Sequence, residues 1–237
     1  MNYSLKYKYI SPEILEICWP AEIHKNILLE MMAMKKVILS RWQDELWDIT
    51  IGYHCLSLYF KDPYSLQEVN GELETMYQQD QNLSLVKRKR WKIPVLYKGK
   101  DLERVSMLTG LPSKDIIALH QKPSYLLYFY GFMPGFMYLG GLSDRLFAAR
   151  KDKPDPKIPK GSVAIGGKQT GIYPMDSPGG WNVIGNTPVT LFELHQQPPV
   201  KAQPGDEICF QEISESDFRT ILNAVKKNSY SLKYEEL

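Results

Sequence analysis

Cysteine is scarce. The 237 residues include three, Cys18, Cys55 and Cys209. No pair has the CxxC spacing of a metal or redox motif, and each lies in an apolar stretch, so they read as buried thiols in a reducing cytoplasm. Long apolar runs are missing as well. Nothing approaches the roughly 18 residues that a membrane-spanning helix needs. The opening Met1-Asn2-Tyr3-Ser4-Leu5-Lys6 lacks the apolar core and small-residue cleavage site of a secretory leader. Neither sign of charge dominates: 29 Lys and Arg face 27 Asp and Glu, a net charge of +2. That near-balance argues against a dedicated nucleic-acid binder. There is no GxSxG elbow, no Walker A loop, no HExxH and no other metal-ligand spacing. Wholesale disorder is excluded in turn, because 43% of the residues are hydrophobic and only 24% charged.

Glycine and proline are short in one half and abundant in the other. The first 90 residues hold only Gly52, Gly71, Pro12, Pro20 and Pro63, whereas Gly131 to Gly205 holds 12 of the 16 Gly and 10 of the 16 Pro. The first part therefore reads as regular helices and strands, and the second as short strands joined by tight turns.

In the first part, Ile14 to Trp19 reads as a strand ended by Pro20. Ile23, Ile27, Met31, Met34 and Ile38 recur at helical steps over Glu22–Arg41. Strands are expected at Trp47–Gly52 and Leu56–Phe60, then a helix opened by a capping box at Ser65-Leu66-Gln67-Glu68. Strand, helix, two strands, helix, strand is a split βαβ order. Lys87-Arg88-Lys89-Arg90-Trp91-Lys92 is either an anion patch or the solvated edge of a strand. Further on, helices are expected at Asp101–Leu108 and Ser113–His120, with Ser113 as N-cap. Strands follow at Tyr125–Tyr130, Ser162–Ile165, Val183–Ile184, Val189–Leu194 and Glu207–Gln211, and Ser214 caps a last helix.

Four segments have the composition of a built surface. The first carries Phe132, Pro134, Gly135 and Phe136. The second carries Gln169, Thr170 and Tyr173. The third carries Ser177, Gly179, Gly180 and Trp181, and the fourth is Ile184-Gly185-Asn186-Thr187-Pro188. Glycine lets a backbone approach a ligand closely, aromatics supply apolar walls, and hydroxyl and amide groups orient a small polar molecule. The same segments also read as plain hairpin turns of a β-barrel. His120 is the one histidine placed to approach these loops, and it is the candidate for proton transfer.

These segments carry a resemblance. Gly131-Phe-x-Pro-Gly-Phe136, Gly161-Ser-Val-Ala-Ile-x-Gly167-x-Gln169-Thr-Gly-Ile-Tyr-Pro174, Ser177-Pro-Gly-Gly-Trp181 and Ile184-Gly-x-Thr-Pro188 are similar to the KipI/PxpB family, also called allophanate hydrolase subunit 1 or carboxyltransferase subdomains C and D. The resemblance implies an α+β chain: a ferredoxin-like domain over 1–88, a cyclophilin-like β-barrel over 89–213, and a C-terminal helical extension over 214–237. It implies a PxpC/KipA-like barrel partner and a PxpA-like third subunit in an ATP-dependent 5-oxoprolinase. ATP would be handled by another subunit, and this chain would bind no cofactor itself. The family's other role is inhibition of a histidine kinase. The chain departs from the family pattern at Gly167-Lys168-Gln169, in the shortened turn Tyr97-Lys98-Gly99-Lys100-Asp101, and at Asp155 and Asn186, which stand where cations are usual; Asp155 is expected to repel a carboxylate. Lys157 and Lys168 are the possible compensations.

Overall fold

Period-two alternation and helical spacing build most of the first unit. The computed structural model describes residues 3–79 and 87–237, and the chain divides into two units, Met1–Lys87 and Arg88–Leu237. The first runs β1 (Lys6–Ser11), β2 (Ile14–Cys18), α1 (Lys25–Trp42), β3 (Leu46–Ile51), β4 (Cys55–Phe60) and α2 (Leu66–Gln79). Its sheet is antiparallel, in the order β1-β2-β4-β3. Leu15 and Ile17 of β2, Leu56 and Leu58 of β4 and Ile49 of β3 are buried. So are Ile27, Leu28, Met31, Met34 and Ile38 of α1, a helix that packs on β3, β4 and α2. Each such side chain contributes about 1.5–3 kcal/mol on burial, which makes this stripe the main support of the unit. Buried Glu30 is made tolerable by two donors, Trp19 Nε1–H at 3.1 Å and the Tyr77 hydroxyl at 2.7 Å.

Several expectations change here. Helix α1 begins at Lys25 rather than Glu22, because the His24 ring accepts from the Asn26 N–H and caps it; Ile23 falls outside and is exposed. The capping box at Ser65–Glu68 lies outside the described side chains. The last strand of the split βαβ order would fall between α2 and Lys87, where residues 80–86 are not described. The sheet edge beside β2 is taken instead by β1, a strand absent from those expectations. The cysteines are also not three separate buried thiols. Cys18 and Cys55 face each other across β2 and β4, and both Cys55 and Cys209 are only half-buried.

The second unit contains β5 (Lys89–Val95), α3 (Leu102–Thr109), α4 (Ser113–Gln121), β6 (Tyr125–Tyr130), β7 (Met137–Gly140), β8 (Asp155–Ile158) and β9 (Ser162–Gly166). Then come β10 (Gln169–Ile172), β11 (Ser177–Gly179), β12 (Asn182–Asn186), β13 (Glu207–Glu212), α5 (Glu215–Lys226) and β14 (Tyr234–Glu236). Eight strands form one sheet in the order β12-β9-β10-β7-β6-β13-β5-β14, while β8 and β11 pair separately. The β5–β13 pairing is parallel. Just past β5, Leu96 exchanges two backbone hydrogen bonds with Asn186 of β12, at 2.9 and 3.0 Å. Around Ile93, Val95, Tyr125, Leu127, Leu139, Val163, Ile165 and Phe210 lies a continuous buried core.

Helix ends follow local chemistry. Gly110 adopts the left-handed conformation that ends α3, and Ser214 with Asp217 forms a capping box on α5. Ser113 is not the expected cap: it is the first residue of α4, after Pro112, and its hydroxyl goes to Glu103. The strand expected over Val189–Leu194 is absent, reduced to a bridge between Phe192 and Val200; the chain there is a loop whose Val189 and Leu191 pack into the core. After Ile213 the chain is more than a helix, since β14 returns antiparallel to β5. The basic run is absorbed by structure: Arg90 pairs with Glu207 at 2.8 Å, Lys92 with Glu235, and Lys89 stands 4.3 Å over the Tyr234 ring. Among the described residues no helix is long and apolar enough to cross a membrane.

Candidate functional site

The site begins at the hairpin turn between β6 and β7. Its tip is tight: the Met133 N–H bonds the Gly131 carbonyl at 2.7 Å, which holds Phe132 at φ +66°. A bulky residue in that region is under steric strain. Phe132 is nonetheless 64% exposed. Gly135, also at positive φ, lies against Phe192, and a Cβ there would come within 2.4 Å of that side chain. Phe136 then turns inward and is the hub of an aromatic cluster. Its ring meets those of Phe132, Tyr138, Tyr173 and Trp181 edge-on, with centroids 5.4 to 5.6 Å apart. Such edge-to-face pairs add about 0.5–1.5 kcal/mol each beyond area burial.

Strand alternation decides which residues join this cluster. Ala164 of β9 and Tyr173, just past β10, fall on the aromatic side with Ile158 and Val183. Val163, Ile165 and Ile172 fall on the opposite side, in the main core. Gly166 is required here because a Cβ would lie 2.4 Å from the Trp181 ring.

Above the cluster opens a cavity of about 390 Å³, lined by Phe132, Phe136, Tyr138, Arg150, Lys151, Pro154, Tyr173, Pro178, Gly179, Gly180 and Trp181. Its cationic corner is built with care. Asn182 is fully buried; its amide donates to the Ala149 and Ile165 carbonyls, and its oxygen accepts from Arg104. The Lys151 N–H bonds the Gly180 carbonyl at 2.8 Å. Arg150 is therefore anchored on both sides, and its guanidinium stands 5.5 Å over the Trp181 ring. Lys151 bridges Asp101 at 2.7 Å and Asp155 at 2.6 Å, and Lys100 reaches Asp155 at 2.9 Å. Partial burial alone would lower the Lys151 pKa, but these carboxylates hold it above the ordinary value. Hydrogen bonds from Lys151 and Lys100 hold the Asp155 carboxyl below its ordinary range.

Of the residues expected from sequence, Phe132, Phe136, Tyr173, Gly179, Gly180 and Trp181 come together on the cavity wall, while Pro134, Gly135, Gln169, Thr170 and Ser177 do not line it. Ser177 Oγ is buried without a hydrogen-bond partner. Asp155 is not the repulsive charge expected, because two lysines neutralise it and it lies off the wall. Asn186 is off the wall too, with its amide on the Lys160 carbonyl. Neither expected compensating cation lines the cavity: Lys157 pairs with Asp176, and Lys168 lies over Phe147. Sequence reasoning missed Tyr138, Arg150 and Lys151. The one available signal for the cations was their place directly before the Pro154-Asp155-Pro156 stretch.

His120 is corrected most sharply. It does sit beside a glycine loop, but inside the core, fully buried and away from the cavity wall. Thr170 Oγ1 donates to the Ala164 carbonyl at 3.1 Å, so it accepts from His120 Nε2–H at 2.8 Å; His120 Nδ1 then accepts from the Tyr97 hydroxyl at 2.7 Å. Both ring nitrogens are occupied, and burial pushes the imidazole pKa down to about 3, which keeps it neutral.

Comparison with known proteins agrees with this architecture. Residues 5–202 match the model for the carboxyltransferase domain, subdomain C and D, and the chain belongs to that family. It is 46% identical over 136 residues to the B-type 5-oxoprolinase subunit of Bacillus subtilis, a match covering 56% of this chain and 57% of that protein. It is 35% identical over 171 residues to the corresponding 5-oxoprolinase subunit of Haemophilus influenzae, covering 71% and 80%. The crystal structure of TTHA0988 superposes with a TM-score of 0.74 at 33% identity, over 85% of this chain and 40% of that one. The matched region is thus little more than half of the B. subtilis relative.

Proposed function

We infer that this chain is the B-type subunit of an ATP-dependent 5-oxoprolinase-type complex, contributing one half of a site for a small cyclic amide that bears a carboxylate. The observation that carries this reading is the aromatic cavity with Arg150 fixed above Trp181. Aromatic rings accommodate the apolar faces of a five-membered lactam, and the guanidinium donates two parallel hydrogen bonds to its carboxylate. The charged residues on the cavity wall, Arg150 and Lys151, are both cations, so the local field favours an anion. The relatives named as 5-oxoprolinase subunits support the same substrate class.

The second unit would be the cyclophilin-like barrel of the family, a reading supported by the Leu96–Asn186 bridge between the β5 end and β12. The first would be its ferredoxin-like domain. Strained, exposed Phe132 at the cavity rim is where a PxpC/KipA-like barrel would cover apolar surface. A PxpA-like subunit would supply ATP chemistry.

The test is reconstitution with PxpA-like and PxpC-like proteins. ATP-dependent release of glutamate from 5-oxoproline is expected only when all three are present, and at least tenfold less of it with Arg150→Ala. Full activity of that variant would remove Arg150 from the site. Failure to associate with the PxpC-like protein at micromolar concentration would count against the subunit role and favour a KipI-like regulator that grips a histidine kinase.

A further inference from the structure

In the first unit, β2 and β4 are neighbours at the middle of the sheet, and their register places Cys18 directly opposite Cys55. The type of pair follows from the backbone. The Phe60 N–H bonds the Glu13 carbonyl and the Trp19 N–H bonds the His54 carbonyl, both at 2.8 Å. Hydrogen-bonded and non-hydrogen-bonded pairs alternate along an antiparallel ladder. Positions 13, 15, 17 and 19 of this strand therefore belong to the bonded set, and Cys18 with Cys55 to the other. In that class the Cα atoms lie about 4.5 Å apart and the side chains approach most closely. A disulfide accepts Cα separations of roughly 4.4–6.8 Å, so this register admits one without moving the backbone. The sulfur atoms are already 3.3 Å apart.

Cys18 is buried and Cys55 half-buried, and the pair is approached from one side only. The helices pack on the face that carries Leu15, Ile17, Leu56 and Leu58; by strand alternation the thiols lie on the opposite face. Cys18 lines a cavity of about 410 Å³ together with Lys6, Lys8, Trp19 and His54. Two lysines at a thiol favour a visiting anion and disfavour a free metal dication. Glu16 places a carboxylate within 4.8 Å of both sulfurs, the only such cluster of potential metal ligands among the described residues.

We propose that Cys18 and Cys55 form a thiol–disulfide exchange site whose co-reactant is a small anionic disulfide of the glutathione type. The Cys18 sulfur attacks the small disulfide, forming a mixed disulfide and expelling one thiol as its S–S bond breaks. The Cys55 sulfur then attacks Cys18 Sγ, expelling the second thiol. Two protein thiols lose two electrons and two protons, and the small disulfide is reduced to two thiols. Cys18 lines the cavity and is therefore the attacking group, while burial, with the neighbouring Cys18 thiol and Glu16, pushes the Cys55 thiol up to about 12 and slows the closing step at neutral pH.

The experiment uses the whole purified chain, reduced and freed of small thiols, then incubated with mixtures of oxidised and reduced glutathione. Intact mass and non-reducing peptide mapping should show loss of two hydrogen atoms and a Cys18–Cys55 linked peptide, with Cys209 still open to alkylation. The conservative Cys55→Ser variant should stop at one glutathione adduct on Cys18. Three results would overturn the proposal: linkage only in denaturant, glutathione on Cys209 alone, or a stoichiometric metal in the untreated protein that blocks oxidation.

Discussion

The two faces of the β9–β10 hairpin are made from one alternating pattern and end with opposite properties. On one face Thr170 meets His120 and Tyr97 in a closed chain of hydrogen bonds, with nothing left to offer a ligand. On the other, Ala164 and Tyr173 back an open cavity whose aromatic wall carries a cation. A histidine is the usual first suspect for chemistry, yet here it lies on the structural face. Partner geometry, and not residue type, separates the two. A polar group saturated by buried neighbours is a stability device, whereas a charged group held from behind over an open aromatic surface is free to recognise something.

The strongest way to break this contrast is His120→Ala. It strips the Tyr97 hydroxyl and Thr170 of their buried partner and opens a void, and should cost about 3–5 kcal/mol in urea unfolding. On the proposed subunit role, the remaining folded protein should bind 5-oxoproline in the presence of a PxpC-like protein to the same extent as the unsubstituted chain. A loss under 1 kcal/mol, or a loss of binding in folded protein, would erase the distinction.

The same residue makes a pH prediction. Its folded pKa of about 3 lies below the ordinary 6.5. Between those values the unfolded chain binds a proton that the folded chain refuses. The contribution is therefore fully present above pH 6.5 and is lost as pH falls toward 3. At pH 5 the loss amounts to about 2 kcal/mol, visible as a stability slope that His120→Ala lacks.

Gly166→Ala probes the other face. Its Cβ would meet the Trp181 ring at 2.4 Å and push it into the cavity. A loss of about 1–3 kcal/mol is expected, with altered tryptophan fluorescence and weaker ligand binding. Unchanged fluorescence would mean that the backbone, not the ring, gives way.

The smallest stability effect belongs to Arg150→Ala, within about 0.5 kcal/mol by thermal unfolding. Its affinity for 5-oxoproline in the presence of the partner barrel should fall about fivefold or more, with the difference shrinking as salt rises. A stability loss as large as that of Gly166→Ala would make Arg150 a packing residue.

Legibility from sequence tracked locality. Helices α1, α3, α4 and α5 were readable because helical patterning, and at α5 the Ser214 cap, are encoded within a few residues. The aromatic half of the cavity was readable because Phe132, Phe136 and Trp181 lie in glycine-rich turns. The cationic half was not, since Arg150 and Lys151 gain their place from Asn182 and Gly180, about thirty residues on. Strand β1 was legible and was passed over: Lys6-Tyr7-Lys8-Tyr9 alternates charged and aromatic residues, the period of an exposed edge strand. His120 could not be assigned either, because its partners Tyr97 and Thr170 stand 23 and 50 residues away.

The parallel pairing of β5 with β13 also has a consequence for how the second unit comes into being. Arg90 and Glu207, joined across that pairing, are 117 residues apart. During synthesis at roughly 5–20 residues per second, β5 waits several seconds or more for the strand that will cover it. In that interval it is an unpaired segment that carries apolar Ile93 and Val95, the kind that templates aggregation. Lys89, Arg90 and Lys92 stand at that place, and like charges oppose edge-to-edge pairing of such a strand; in the folded chain Glu207 and Glu235 pair with Arg90 and Lys92.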